Sequence, residues 1–505
     1  MTNIDIHTHP FLFQYNRGRN INDVSIKGNP IFDKILNIIQ HHTNVYKPQS
    51  NIMQMAKGDI KCVFISITPI EREYYLGKDF SQGINGIKKY LAKVGNKITS
   101  KNSPLRVILA MYVTSFPYSR IRTFQSKEYD YFEEFKKEMR LCLKYNDKLL
   151  NYTDEKCDKI KYSLTRNYDE VNSILISKNK NYKHLAFVLT LEGGHILTGG
   201  SREYKTNLDT MLERVWYLKN KLSYPVFFIT LGHIFYNGLC GICRSLPDNN
   251  YWIADQEYGM NRKISREGDI VIKRLLNVDN KDKSRILIDI NHMSLQARRD
   301  YYYKYIIPYN QKNRENKIPI IASHTAYSGI KSFREMEKIT GNEIKGVRMG
   351  GRKYFCGSHN LTDEDIRYID DSEGLIGLIL SKRFLASRRR IKSIKNKKDP
   401  LEWGNIISTH IRLMISAMLN SKKNILIVDK RKVWDRICIG SDFDGFGETP
   451  EPFNSAEKMP LLKETLIQNL KDDRDFRDLL FGLDTEEIVD KFMFKNALNF
   501  LKRNY

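Results

Sequence analysis

The stretch Leu185-Ala-Phe-Val-Leu-Thr-Leu-Glu-Gly-Gly-His195 is an apolar run that ends in a carboxylate and two glycines. A continuous apolar run is typical of a parallel strand that is buried on both faces. Burying the Glu192 carboxylate at the end of such a strand is costly unless the group is paired or bound to a metal. Gly193 and Gly194 allow the backbone to turn tightly or to pass close to a ligand. The stretch therefore predicts a buried parallel strand with a functional acid at its carboxyl end.

Four other apolar runs stop in the same way, at a side chain that can bind a metal or transfer a proton. They are Ile4-Asp-Ile-His-Thr-His9, Ile288-Asp-Ile-Asn-His292, Ile321-Ala-Ser-His324 and Ile439-Gly-Ser-Asp442. A (β/α)8 barrel builds its site from the carboxyl ends of its strands. Five such ends in order along the chain therefore predict an α/β protein, a (β/α)8 (TIM) barrel metallohydrolase.

The strand candidates alternate with helix candidates, as expected of an α/β protein with a parallel sheet. The strands are predicted at Asn3–Ile6, Cys62–Thr68, Arg106–Val113, Leu185–Leu191, Val226–Leu231, Ile286–Ile290, Ile318–Ala322, Leu375–Leu380 and Ile437–Gly440. Helices are predicted at Asn207–Lys221, Arg266–Leu276, Asp363–Asp370 and Asn405–Leu419. A closed barrel of this type needs eight strands, so we expect Arg106–Val113 or Cys62–Thr68 to be accessory. We expect a single barrel domain over residues 1–505, with a helical insertion on the barrel rim at 115–183.

The net charge of +24 raises the question of a nucleic-acid or anionic membrane partner. The densest basic cluster comprises Lys382, Arg383, Arg388, Arg389, Arg390, Lys392, Lys395, Lys397 and Lys398. Few aromatic residues are interleaved with it, which favours a solvated helix or loop over a nucleic-acid surface. Binding of phosphate groups by this cluster stays an alternative, because it needs only such a patch.

The cysteines and the N-terminus predict a cellular environment. Seven cysteines at irregular spacing do not make a disulfide framework, and Cys240-Gly-Ile-Cys243 lacks the second ligand pair of a zinc knuckle. No signal peptide or membrane-length apolar run is present in the sequence. We therefore expect a cytoplasmic protein with reduced thiols, no membrane span and a small-molecule substrate. A homodimer remains an open option.

Five residues at the strand ends are candidate metal ligands. His7 and His9 alternate around one residue, so both imidazoles point to the same face of their strand and can bind one metal. Glu192, His292 and His324 supply one oxygen and two nitrogens, a donor set that suits a second metal of the zinc type.

Two further strand ends carry candidate catalytic groups. His233 ends the run Ile229-Thr-Leu-Gly-His233 and could be a ligand or a contact to a substrate oxygen. Asp442 can take a proton from a metal-bound water and pass it to a leaving group. Asp444, two residues later in an Asp-Phe-Asp-Gly turn, is better placed for a loop role.

The combined motifs resemble the membrane (renal) dipeptidase family, peptidase family M19 of the amidohydrolase superfamily. The matching segments are His7-Thr-His9, Glu192-Gly-Gly-His195, His233, Asp289-Ile-Asn-His292-Met-Ser294, Ser323-His324-Thr-Ala326 and Gly440-Ser-Asp442-Phe-Asp-Gly445. Weaker matches are Tyr258-Gly-Met260, Arg266-Glu-Gly268, Asn360-Leu-Thr-Asp-Glu364 and Phe494-Lys-Asn-Ala-Leu498. The resemblance spans Ile4 to about Leu501, with insertions.

The resemblance implies a binuclear zinc hydrolase that cleaves the amide bond of a dipeptide or a small amino-acid conjugate with a metal-bound hydroxide. Glu192 would bridge two zinc ions, with His7 and His9 on one ion and His292 and His324 on the other. Asp442 would act as general acid and base, and His233 would polarise the scissile carbonyl. We expect the substrate to contact His233, Asn237 and His359.

Two positions depart from the family pattern. The family usually has Asp where this chain has His9, which removes one negative charge from the metal site. It typically has Arg where this chain has His359, and that Arg holds the terminal carboxylate of the substrate. Histidine cannot reproduce the bidentate grip of a guanidinium, so Arg348 or Arg352 is a candidate replacement.

Two alternative functions remain open on the sequence. Asp5-Ile-His-Thr-His9 also resembles the opening of phosphoesterases of the polymerase-and-histidinol-phosphatase type, and the positive charge suits an anionic substrate. A barrel without catalysis that binds an acidic partner is the second alternative, because fold resemblance does not by itself establish activity.

Overall fold

The structure, a computed structural model, describes residues 2–17, 48–76, 116–154, 157–177, 179–200, 206–246, 256–278, 285–340, 353–420 and 430–505. The strands are β1 Asn3–Thr8, β2 Ile60–Ile67, β3 Leu150–Asp154, β4 Cys157–Leu164, β5 Lys183–Glu192, β6 Phe228–Thr230, β7 Leu287–Asp289, β8 Ile321–Thr325, β9 Leu375–Leu378 and β10 Ile437–Ile439.

Helices connect these strands. The α-helices are Leu12–Arg17, Ile52–Lys57, Glu73–Leu76, Tyr118–Gln125, Tyr131–Tyr145, Tyr168–Ile176, His195–Thr198, Leu208–Asn220, Arg266–Leu276, Leu295–Tyr301, Ile307–Lys312, Phe333–Thr340, Asp363–Asp371, Lys382–Leu385, Arg388–Ser393, Pro400–Asn420, Met459–Asp472, Arg474–Arg477, Thr485–Asp490 and Asn496–Asn504. Single π-helical segments lie at Tyr302–Ile306 and Lys491–Lys495, and 3₁₀ turns at Arg431–Asp435, Glu451–Phe453 and Ala456–Lys458.

Eight parallel strands form a nearly closed barrel in the order β1-β2-β5-β6-β7-β8-β9-β10. Its last seam lies between β10 and β1, where the Asp442 amide donates to His7 O and the His9 amide donates to Phe443 O, both at 3.0 Å. The Asp5 carboxylate spans the same seam, because its Oδ1 accepts the Ser441 amide at 3.0 Å. The predicted α/β barrel is therefore confirmed. The seam brings the strand ends that carry His7 and Asp442 side by side.

Strand β5 shows why the apolar runs predicted the fold. Every residue from Leu185 to Leu191 is exposed by 1% or less. β2 flanks most of this strand, and β6 pairs its last residues, Leu191 and Glu192. Burial of each large apolar side chain contributes roughly 1.5–3 kcal/mol, so the run stabilises the barrel that holds its terminal carboxylate.

The expectation that Cys62–Thr68 could be accessory is wrong. This segment forms β2, a barrel strand in which Cys62 pairs with Ile4 of β1 and with Ala186 of β5. An apolar run shows that a strand is buried but not which neighbours it pairs with, so the sequence could not separate the two cases. The other candidate, Arg106–Val113, lies outside the described residues.

The accessory strands lie instead within the segment predicted as a helical insertion, 115–183. β3 and β4 form an antiparallel pair, and β4 extends the sheet by pairing in parallel with Lys183–Phe187 of β5. The helices Tyr118–Gln125, Tyr131–Tyr145 and Tyr168–Ile176 belong to the same segment. The segment is therefore of mixed helix and strand, and its status as an insertion within one domain stays a prediction.

The four helices predicted from the sequence occur, with shifts at their ends. The side chains of Asn207, Ser265 and Thr362 cap three of them by accepting hydrogen bonds from first-turn amides. Such polar residues are favoured at this position because the first amides of a helix have no partner within it. The fourth helix begins at Pro400 rather than at the predicted residue 405, and proline suits a first turn for the same reason.

The basic cluster contains both exposed and paired side chains. Arg388 and Arg389 of the basic cluster are exposed in a short helix, and Lys382 bonds Glu451 at 2.7 Å. All six cysteines whose side chains are described are buried. Within the described ranges, no helix combines the length and apolarity needed to cross a membrane.

Candidate metal centre

Glu192 is fixed at the mouth of the barrel by the backbone that follows it. Gly193 has φ +106°, and a Cβ there would lie 2.1 Å from the His195 ring, so the turn requires glycine. The amides of Gly193 and Gly194 continue the pairing beyond β6 by donating to Thr230 O and Leu231 O. Thr68 donates its hydroxyl to Glu192 Oε2 at 3.2 Å. The carboxylate is therefore held in one position.

Five imidazole Nε2 atoms surround this carboxylate. Glu192 Oε1 lies 3.4 Å from His7, 3.3 Å from His324 and 3.5 Å from His292, and Oε2 lies 3.2 Å from His9 and 3.5 Å from His233. The Nε2 atoms also form pairs, at 3.2 Å between His7 and His9 and at 3.0 Å between His292 and His324. The five predicted ligands and His233 thus converge on one point.

The opposite ring nitrogens of these histidines bind groups that set the tautomer. Ser323 Oγ donates to Asp289 Oδ2 at 2.6 Å, so it can accept from Nδ1 of His7 at 3.0 Å and of His324 at 2.8 Å. His9 Nδ1 donates to the carbonyl of Ser66 at 3.0 Å. With the proton on Nδ1, the Nε2 atoms of His7, His9 and His324 direct lone pairs toward Glu192, which is the form that binds a metal.

Lone pairs that face a carboxylate repel it unless a cation lies between them. Burial disfavours a charged His9, yet Glu192 and Asp442 raise the pKa of its imidazole to about 10. Burial likewise opposes ionisation of Glu192, but the surrounding histidines, led by His233, hold the pKa of this carboxyl well below its usual range. Positive charge stabilises this centre, and a bound divalent ion would supply it in place of a proton. The nitrogen and oxygen donors fit a metal of the zinc type.

Asp442 and His233 are the more accessible members of the site. Their side chains are 13% and 12% exposed, against 0% for His7 and 7% for His292. Asp442 Oδ1 lies 3.5 Å from His9 Nε2, and burial raises the pKa of this carboxyl. The residue has φ +60°, a left-handed conformation that aspartate adopts more readily than most side chains. A substrate entering the mouth would meet these two groups first.

Glu71 is a site residue that the sequence did not indicate. Its Oε2 lies 2.6 Å from His233 Nδ1, and its Oε1 accepts the Phe235 amide at 3.0 Å. Burial raises the pKa of Glu71 to about 7 and lowers the pKa of His233 to about 3. The pair therefore orients a neutral imidazole with its Nε2 toward the centre.

Glu71, Ser66 and Thr68 all belong to the carboxyl end of β2 or to the loop after it. They were missed because this strand was considered accessory. The available signal was the segment Thr68-Pro-Ile-Glu71, in which a hydroxyl and a carboxylate follow an apolar run, as at the other strand ends of the site.

The remaining predicted residues have different surroundings. The Asn237 side chain donates from Nδ2 to Leu231 O at 2.7 Å, and its Oδ1 accepts the Leu239 backbone amide at 3.0 Å. These bonds fix the loop after β6. His359 is buried beside His292 and stacks on Phe384. Contact of Asn237 or His359 with a substrate stays a prediction.

Asp444 has the loop contacts expected of it, because its carboxylate accepts the amides of Gln49 and Ser50, each at 2.9 Å. Arg348 and Arg352 lie outside the described residues.

Comparisons with known proteins agree with the barrel fold. Residues 350–482, roughly a quarter of the chain, match the family model for membrane dipeptidase, peptidase family M19. The solved structure of the dipeptidase AC, a metallopeptidase of that family, is 13% identical with a TM-score of 0.52, over 100% of this chain and 99% of that one. A metallopeptidase from Rhodobacter sphaeroides, liganded with a phosphinate mimic of L-Ala-D-Ala, gives the same values. At this identity the two structures establish the fold alone. No curated protein matches the chain in sequence.

Substitution Ser323→Ala tests the proposed tautomer control. The change removes the Nδ1 partner of His324 and one of the two Nδ1 partners of His7, which keeps Ser66 Oγ at 3.2 Å. Loss of such an outer contact typically weakens metal binding by about 10- to 100-fold. Competition with a chromophoric chelator measures this affinity. Ser328→Ala is the matched control, because Ser328 is equally buried in the loop after β8 and donates to Leu361 O. Equal zinc affinity in both variants would contradict the assigned role.

Proposed function

We propose that the chain is a metal-dependent hydrolase of the membrane dipeptidase family, whose model matches residues 350–482, and that it cleaves an amide bond with two zinc ions. The substrate is a dipeptide or a small amino-acid conjugate. The observation that carries the proposal is the buried Glu192 carboxylate with five imidazole Nε2 atoms at 3.2–3.5 Å. One carboxylate with two oxygens, each facing imidazoles, suits a bridge between two ions.

The ligands divide into two groups that share Glu192. Donor atoms of His7, His9 and Glu192 lie within 4.8 Å of one another, and we assign these residues to one ion. We assign His292 and His324, whose Nε2 atoms are 3.0 Å apart, to the other ion. Glu192 would bind this ion as well. Since His9 is neutral when it binds a metal, Glu192 and Asp442 are the negative groups of the centre. Two divalent ions therefore leave it with excess positive charge, which favours an anionic nucleophile.

Divalent ions here would acidify a coordinated water and polarise the scissile carbonyl. Asp442 would accept a proton from the attacking water and return it to the leaving nitrogen, because its raised pKa suits a group that must both accept and donate. Its accessible carboxylate, 3.5 Å from His9 Nε2, stands beside the metal ligands without being surrounded by them.

His233 contacts the substrate carbonyl oxygen from the other accessible side. A neutral imidazole can donate from Nε2 only when Nδ1 accepts a hydrogen bond. Glu71 Oε2 supplies this bond at 2.6 Å when the carboxyl is protonated, and its pKa near 7 makes that form available. We therefore propose that a proton on Glu71 holds His233 as an Nε2 donor.

Substitution Glu192→Gln should abolish both metal binding and hydrolysis. The amide cannot neutralise two ions, so we expect less than one zinc per chain by elemental analysis and a loss of at least about 1,000-fold in kcat/KM, or roughly 4 kcal/mol of transition-state stabilisation. The matched control is Glu138→Gln, since Glu138 is a buried carboxyl outside the ligand set. Turnover of phosphomonoesters but not of dipeptides by the unmodified protein would refute the proposed reaction.

Substitution Asp442→Asn should separate proton transfer from metal binding. We expect two zinc ions to remain, while kcat falls by roughly 100- to 10,000-fold, the usual range for a lost general acid or base. Elemental analysis and steady-state kinetics on one dipeptide give both quantities. Loss of one ion would instead make Asp442 a ligand, and unchanged kcat would exclude it from proton transfer.

Substitution of Glu71 tests the tautomer of His233. In Glu71→Gln the amide oxygen can accept from Phe235 and the amide nitrogen can donate to His233, so we expect kcat/KM to stay within about tenfold. Glu71→Ala removes both bonds and should cost about 10- to 100-fold, as for other orienting groups. If both variants lose activity equally, Glu71 acts as an ionised acceptor and His233 does not donate from Nε2.

A further inference from the structure

We propose that His359 is an additional metal ligand, which completes a set of three imidazoles with His292 and His324 on one side of Glu192. This inference rests on the proposed metal centre and deepens it. It assigns a metal-binding role to the position from which the arginine of the family pattern is missing.

The first observation is that both ring nitrogens of His359 lack a partner. The residue is 2% exposed, and neither Nδ1 nor Nε2 has a hydrogen-bond partner within the described part of the chain. Buried polar groups normally find partners, so such an atom in a native protein calls for an explanation. By contrast, buried His410 uses both nitrogens, at 3.2 Å from the Tyr327 amide and 2.6 Å from Leu385 O.

The second observation is the position of the ring. One nitrogen each of His359, His292 and His324 lie within 4.8 Å of one another, a spacing that lets all three reach one ion. The ring centroid of His359 lies 5.0 Å from that of His292 and 6.0 Å from that of His324. The unpartnered imidazole therefore borders the half of the centre that holds those two ligands.

The third observation is that the ring is held rigidly. Phe384 stacks on it with a centroid distance of 3.9 Å and an interplanar angle of 18°. The His359 carbonyl accepts the Thr325 hydroxyl at 3.1 Å, which ties its backbone to the end of β8. The next residue, Asn360, donates its amide to Phe355 O at 3.0 Å and to Phe384 O at 2.8 Å. Such support fixes a ligand in place before the metal binds.

A metal role fits these facts better than contact with a substrate carboxylate. A neutral imidazole is a good zinc ligand, whereas it offers a carboxylate only one hydrogen bond and cannot make a bidentate contact. His359 is also less accessible than His233 and Asp442, the groups that line the open side of the centre.

The added ligand makes the two halves of the centre unequal. His292, His324, His359 and Glu192 would give one ion four protein ligands, while His7, His9 and Glu192 would give the other ion three. Zinc sites with four protein ligands are closed, and catalytic sites keep a position open. The ion at His7 and His9 is therefore the one with room for water or substrate.

The test compares metal binding by the unmodified protein with that of His359→Phe. Phenylalanine preserves the stacking on Phe384 but offers no nitrogen. Zinc affinities are measured by chelator competition, and the cobalt-substituted proteins are compared by visible absorption, which reports coordination. His410→Gln is the control, since the amide can keep both backbone bonds of that buried histidine. His359→Gln serves as a second variant if the phenylalanine does not fold.

We expect His359→Phe to bind one of the two ions at least about 100-fold more weakly, the upper range for an outer contact, with an altered cobalt spectrum. The other ion and the control should stay within a few-fold of the unmodified protein. Two ions of unchanged affinity and an unchanged spectrum would overturn the inference, and an isolated rise in KM would make His359 a substrate contact. An unmodified protein that binds fewer than two zinc ions would refute the proposed function itself.

Discussion

The burial of the Glu192 carboxylate is the constraint on which the rest of the site depends. A carboxylate that is 3% exposed at the end of a fully apolar strand is stable only when opposite charge compensates it. The imidazoles around it cannot do so while they present Nε2 lone pairs, as those of His7, His9 and His324 do. The fold thus builds a site whose charge bound cations would balance.

The second constraint is the orientation of the ligands, and a few hydroxyl groups provide it. Ser323 joins His7, His324 and Asp289 in one network across β1, β7 and β8. Asp289 in turn accepts the Thr230 hydroxyl at 2.6 Å and the amides of Asn291 and Ser323. Ligands from distant parts of the chain therefore share one set of hydrogen bonds, so the closed barrel and the metal centre stabilise each other.

Much of the fold and most of the side chains that surround Glu192 could be predicted from the sequence, because burial and polar strand ends both leave local patterns. The run that ends at Glu192 indicates both a buried strand and a carboxylate whose burial costs free energy unless it is paired. The same pattern of an apolar run that ends in a polar side chain identifies His292 and His324. Relations between strands leave no local pattern. Cys62–Thr68 could not be placed in the barrel, and Glu71, Ser66 and Thr68 were therefore missed with it. The partners of a histidine are also a tertiary property, so the sequence could identify His359 as unusual but not show its neighbours.

A crystal structure of the zinc-loaded protein, with anomalous data at the zinc absorption edge, tests the central claim most directly. We predict two peaks at the mouth of the barrel, each with one Glu192 oxygen at about 2.0–2.2 Å. His7 and His9 should bind one ion, and His292 and His324 the other. A single peak, or a Glu192 carboxylate that touches neither ion, would contradict the account.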